Sequence, residues 1–153
     1  MSRPQPTVAR EVDRLTEAGL LESELRSGRR SVWAATTSPI FDELHSILLK
    51  TIGPKAVLEE RLRGLRGVDR ALIYGSWARR YQGEPGPLPQ DVDLMVIGTG
   101  DVGEIRAEAD TASRRLGRDV NVSVLTPDEW DSSETGFVSH LKSEPLVALD
   151  LLR

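Results

Sequence analysis

Two aspartates separated by one residue, Asp91 and Asp93, open the run Asp91-Val-Asp-Leu-Met-Val-Ile97. On a β-strand such residues share a face, so both carboxylates point one way while Val92 and Leu94 point into a core. Carboxylates this close repel unless a cation lies between them, and their oxygens suit a hard divalent ion, Mg2+ or Mn2+. Upstream, with fourteen residues intervening before Asp91, stands Gly75-Ser76, directly after the apolar run Ala71–Tyr74. Glycine lets the backbone approach a ligand, and a helix starting near Trp77 would aim its amides at an anion. Ser76 adds a hydroxyl donor, and Arg79 a positive charge one turn further on. Phosphate donors beside a metal-holding carboxylate pair imply a metal–nucleoside triphosphate ligand. Either half alone is ordinary, since an Asp-x-Asp strand is more often solvated surface; the order and spacing together carry the specificity.

The elements that must hold these groups are legible from periodicity. Val8, Val12, Leu15 and Ala18 recur at helical spacing after Pro6, and Gly19 stops that helix. Leu21–Arg26 and Arg29–Ala34 flank Ser27-Gly28 as a β-hairpin. Pro39 is placed to begin a helix with an apolar stripe of Ile40, Leu44, Ile47 and Leu48. Gly53-Pro54 interrupts it, and a second helix runs from Lys55 to about Leu65. The Gly- and Pro-rich stretch Gln82–Gln90 is irregular. Strands follow at Ala71–Tyr74, Asp91–Ile97 and Asp119–Val124, with a helix over Val102–Leu116 and another opening at Pro127. Phe137–Leu141 and Leu146–Leu152 form an apolar tail. The expected fold is α+β: a small mixed β-sheet core with flanking helices over 67–153, a helical linker over 37–66, and a helix-plus-hairpin piece over 1–36.

The composition closes off other chemistries. The 153 residues contain no cysteine, which removes disulfide scaffolds, thiol nucleophiles, cysteine zinc sites and iron–sulfur clusters. Two histidines, His45 and His140, are too few and too far apart for a multi-histidine metal site or a triad. The chain lacks a signal peptide and an apolar run near the roughly 20 residues of a membrane span, so the expectation is a cytoplasmic protein with no membrane partner. The net charge of −4 argues against bulk coating of nucleic acid but allows a local basic patch.

With its Gly-Ser turn, gap and Asp-apolar-Asp-apolar strand, the stretch from Lys55 to Leu125 resembles the nucleotidyltransferase superfamily typified by DNA polymerase β. Gly75-Ser-Trp-Ala-Arg79 is similar to the opening motif of its minimal nucleotidyltransferase domains. The resemblance implies that Asp91 and Asp93 hold magnesium, that Gly75, Ser76 and Arg79 take the triphosphate of ATP, and that a nucleoside monophosphate passes to a hydroxyl. It departs from the family at three points. Arg80 replaces a glycine, the gap before Asp91 is lengthened and ends on Gln90, and Asn121 stands where the next strand should carry a third, catalytic carboxylate. An amide oxygen can ligate a metal but brings no charge and accepts no proton. Asp119, two residues earlier and on the same face, is the alternative carboxylate.

The amino-terminal piece resembles the recognition helix and wing of bacterial winged-helix transcriptional regulators, through Leu15-Thr-Glu-Ala-Gly-Leu-Leu21 and a hairpin tipped by Ser27-Gly-Arg-Arg30. That resemblance implies DNA binding, with Gln5, Thr7 and Arg10 at base edges and Arg14, Arg29 and Arg30 on phosphates. The two helices that precede a recognition helix do not stand before it in this sequence, which implies a fragment, a misplaced start or another use, and an exposed apolar helix–hairpin surface is then expected to serve a homodimer. Three functions fit: a nucleotidyltransferase, with or without a helical partner protein as in toxin–antitoxin pairs; a catalytically degenerate, nucleotide-sensing DNA-binding regulator; and an interaction module without nucleotide.

Overall fold

The protein is described from a computed structural model that covers residues 6–84, 86, 88–132 and 136–152. The chain divides into two units, Met1–Leu48 and Leu49–Arg153, with the boundary falling inside a helix.

In the first unit, α1 (Pro6–Glu17) precedes the antiparallel hairpin β1 (Leu21–Arg26) and β2 (Arg29–Ala34). The hairpin closes through Ser27 at φ 49° and Gly28 at φ 76°, the left-handed pair that a tight two-residue turn requires. Ala35 is the one buried residue among those described in this unit. Trp33 is exposed and donates its indole N–H to Glu22 Oε2 at 2.8 Å. Every residue of β2 is exposed, so a large ring there is not enclosed. The next helix, α2 (Phe41–Ile52), starts two residues later than Pro39, which lies in a turn.

The second unit is α+β, with a four-stranded mixed sheet in the order β5-β4-β3-β6. Its elements are α3 (Pro54–Leu62), β3 (Val68–Tyr74), α4 (Gly75–Tyr81), β4 (Asp91–Gly98), α5 (Val102–Leu116), β5 (Asp119–Leu125), α6 (Pro127–Ser132), α7 (Gly136–Ser143) and β6 (Val147–Ala148). β4 pairs parallel with β5 and antiparallel with β3, and β6 adds antiparallel to the other edge of β3. Pro54 is accepted at the first turn of α3, where its missing N–H costs nothing. Asp101 caps α5 by accepting from the Glu104 N–H at 2.9 Å.

Strand alternation sorts the core onto two faces. Ala71, Ile73, Val92, Leu94 and Val96 pack with Val57, Leu58 and Leu62 of α3 and Ile105 and Ala112 of α5. Leu72, Met95 and Ile97 pack on the opposite face with Trp130 of α6 and Leu141 of α7. Helix α3, read from sequence as part of a linker, therefore belongs to the core of the second unit. The short β6 was not expected: two residues in an apolar tail carry no period to read. Among the described residues no helix is long and apolar enough to cross a membrane.

Tyr81 ties α4 to α3, its phenol oxygen accepting the Lys55 N–H at 2.9 Å. Burial raises this phenol above its ordinary value of 10.0; the Lys55 hydrogen bond opposes the shift and the Glu59 charge adds to it. A raised folded value means that the neutral phenol stabilises the fold below pH 10 and that this contribution fades as pH rises through the folded value. Tyr81→Phe should thus cost about 1 kcal/mol near neutrality. In urea unfolding series, the gap from wild type should narrow above about pH 10.

Candidate functional site

The face of the sheet that carries Met95 and Ile97 changes character toward the amino-terminal end of β4. Asp91 and Asp93 follow the same period-two alternation onto this face, while Val92 and Leu94 are fully buried on the other. Register then brings the neighbours alongside. Asp93 pairs with Tyr74 on one side and Asn121 on the other, and Asp91 pairs with Asp119. Where α6 and α7 cover the apolar end, the same face is greasy; past Met95 it turns polar and open.

Asn121 lies beside Asp93 in the ladder. Its Nδ2 donates to Asp91 Oδ2 at 2.9 Å and to Asp93 Oδ1 at 3.3 Å. One amide thus spans both carboxylates and offsets part of their repulsion. Rotating the amide by half a turn exchanges this donor for the Oδ1 acceptor. Among the described residues no group of three or more His, Asp or Glu side chains gathers to hold a metal. Two carboxylates and a rotatable amide nonetheless suit one hard ion that keeps waters or phosphate oxygens in its other positions. Asp119 is exposed and sits beside Asp91 in the ladder, so no side-chain hydrogen bond draws it to the pair among the described residues.

Helix α4 begins at Gly75 itself, two residues earlier than the sequence implied, straight off the end of β3. Gly75 has φ 66°, and a Cβ built there would lie 2.7 Å from Asp93 Oδ2. The left-handed backbone requires glycine, and the absence of a Cβ leaves the Asp93 carboxylate room beside the Gly75-Ser76 turn. Tyr74 in the cap position makes no side-chain capping bond. Arg79 points from the same helix toward two carboxylates, Glu84 and Glu144, at 3.8 Å each. Trp77 is buried in the core, and its indole N–H finds no partner among the described residues.

Sequence reading missed the wall opposite this turn. Tyr74, Gly75 and Arg79 line a cavity of about 230 Å³ with Phe137, His140, Leu141 and Glu144 of α7. Phe137 is exposed and stacks edge-on against Tyr74 at 6.0 Å between ring centres. Burial raises the Tyr74 phenol above its ordinary value; a hydrogen bond with Ser123 opposes the shift and the Asp93 charge reinforces it. Nothing in the local pattern of α7 marked it for a site, because only the chain reversal between α6 and β6 brings it over β3.

Of the residues proposed for DNA, Gln5 lies outside the described residues. Thr7 and Arg10 are exposed on α1 and Arg29 on β2. Arg30 bridges Asp13 and Ser23 at 2.5 and 3.1 Å, and Arg14 lies 3.7 Å from Glu11.

Comparison of the chain with family models, with curated proteins and with solved structures finds no match. The site is therefore read from its own geometry. Gly75→Ala tests that geometry. It should cost about 1–3 kcal/mol in chemical unfolding through left-handed strain and the clash with Asp93, whereas Gly83→Ala, strained at φ 85° but with no atom near its Cβ, should cost less.

Proposed function

We propose that the second unit is a nucleotidyltransferase-like module that binds a magnesium–nucleoside triphosphate, ATP being the first candidate. The observation that supports this reading is the close approach of Gly75 to the Asp93 carboxylate, with the Ser76 hydroxyl and Arg79 as candidate phosphate-binding groups on the same helix. Asp91 and Asp93 hold the ion, with the Asn121 amide turned to offer its oxygen. Bound magnesium supplies charge neutralisation for the triphosphate and for both carboxylates. Ser76 donates its hydroxyl to a phosphate oxygen, and Arg79 exchanges its solvent-exposed carboxylate partners for the stronger charge of the phosphates. The aromatic wall of Tyr74 and Phe137 offers a stacking surface for the base.

Transfer to an acceptor would join the hydroxyl oxygen to the α-phosphorus and release pyrophosphate. The acceptor proton then needs a base, and Asn121 cannot take it. Binding is thus the primary activity, and transfer is slow or absent in this chain, which favours a sensing role over an efficient enzyme. Isothermal titration with magnesium–ATP should give heat that the Asp91→Ala/Asp93→Ala double variant abolishes; equal heat from both proteins would overturn the reading. Asn121→Asp should restore a third carboxylate. Without divalent ion it should lower the melting temperature through added repulsion. With magnesium, the melting temperature should recover by several degrees and label transfer from α-labelled ATP should rise at least tenfold.

A second reading, DNA binding by the first unit, is favoured by the exposure of Thr7, Arg10 and Arg29 on the helix and hairpin. The ion pair with Asp13 makes Arg30 a weaker candidate than Arg29. In gel shifts across a salt series, Arg10→Ala/Arg29→Ala should weaken binding and reduce the slope of log affinity against log salt by about 2. An unchanged slope removes both residues from the interface.

A further inference from the structure

Helix α2 is amphipathic, yet none of its residues is buried. Ile40, just before its first turn, is 53% exposed, Ile47 57% and Leu48 44%, and Phe41 and Leu44 are half-exposed on the same side. Leu49, on the opposite side of the helix, packs against the core of its own unit. The stripe follows a heptad: Ile40, Leu44, Ile47 and Thr51 alternate at spacings of four and three, the seam of a two-helix coiled coil.

Charges on the flank of this seam decide what it fits. Glu43 and Lys50 are seven residues apart and hence at the same heptad position, and both are exposed. Among the described residues neither forms an ion pair or a side-chain hydrogen bond within the chain. We propose that this face pairs with α2 of a second copy of the chain, with the two helices antiparallel about a two-fold axis near their middle. In that arrangement Leu44 meets Ile47 of the partner subunit, and Ile40 meets Thr51 of the partner subunit. Phe41 packs beside Leu48 of the partner subunit. Glu43 faces Lys50 of the partner subunit, twice by symmetry. One register satisfies the apolar seam, the flanking apolar pair and the charge pair together. A parallel pairing loses the charge match, because it sets Glu43 beside the apolar residues that flank the partner helix.

The seam is about 18 Å long, small for a specific interface, so a micromolar dimer is expected. Sedimentation equilibrium of the full chain, loaded over roughly 1 to 100 μM, should show association from the 16.9 kDa chain to twice that mass. Ile47→Glu should abolish it. Glu43→Lys should weaken it by about tenfold, because it sets like charges opposite each other. The reversal Glu43→Lys/Lys50→Glu should restore it. These residues are exposed, so far-UV circular dichroism should be unchanged in every variant. A wild-type chain that stays monomeric across the range overturns the proposal, as does a dimer that Ile47→Glu leaves intact. A dimer insensitive to Glu43→Lys, or one that the double reversal fails to restore, overturns the antiparallel register. None of these outcomes depends on nucleotide binding, so they are read independently of the titration with magnesium–ATP.

Discussion

The pairing register of β4 is the constraint on which the rest of the second unit depends. Side chains alternate with period two, so a slip of one residue would bury Asp91 and Asp93 and expose Val92 and Leu94. Burying two unpaired carboxylates costs far more than any contact in the site returns. The apolar demand of Val92, Leu94 and Val96 against α3 and α5 thus locks the carboxylates onto the other face. The same register aligns Tyr74 and Asn121 on either side of Asp93. Stability of the core and placement of the site are one decision made twice.

Within the site, Asn121 balances two opposing requirements. Without an ion, its amide hydrogens bridge the aspartates and soften a repulsion that a third carboxylate would deepen. With an ion, the same side chain can offer an oxygen but adds no negative charge and accepts no proton. Arg79 lies at the surface between Glu84 and Glu144, whose carboxylates match its charge.

The two units differ in how they bury apolar surface. The second closes a sheet between two helical layers, and its cores leave Leu58, Ile73, Leu94 and Val96 with no exposure. The first holds α1, the hairpin and the larger part of α2, and among its described residues only Ala35 is buried. Its exposed Leu25, Val32 and Trp33, together with the stripe on α2, are the consequence.

Short-range pattern was enough to read the strand carrying Asp91 and Asp93, the hairpin at Ser27-Gly28, the helix Val102–Leu116 and the Gly75-Ser76 turn. Each is specified by alternation, helical spacing or a residue whose backbone preference is strong. The period-two rule also predicted that both carboxylates would share a face. Other features depend on residues far apart in sequence and leave no local mark. β6 exists only because β3 offers it an edge. α3 is core rather than linker because α5 lies beside it, and Phe137 and His140 face Gly75 only because α7 folds back over the sheet. Trp33 and Trp77 carry the same side chain, but one is exposed and one buried; their neighbours in space decide which. The residues by themselves determined which groups could do chemistry and which way they point from a strand. The tertiary structure decided their partners, because a wall, a bridging amide and a cavity are made by elements that meet only after the chain has closed.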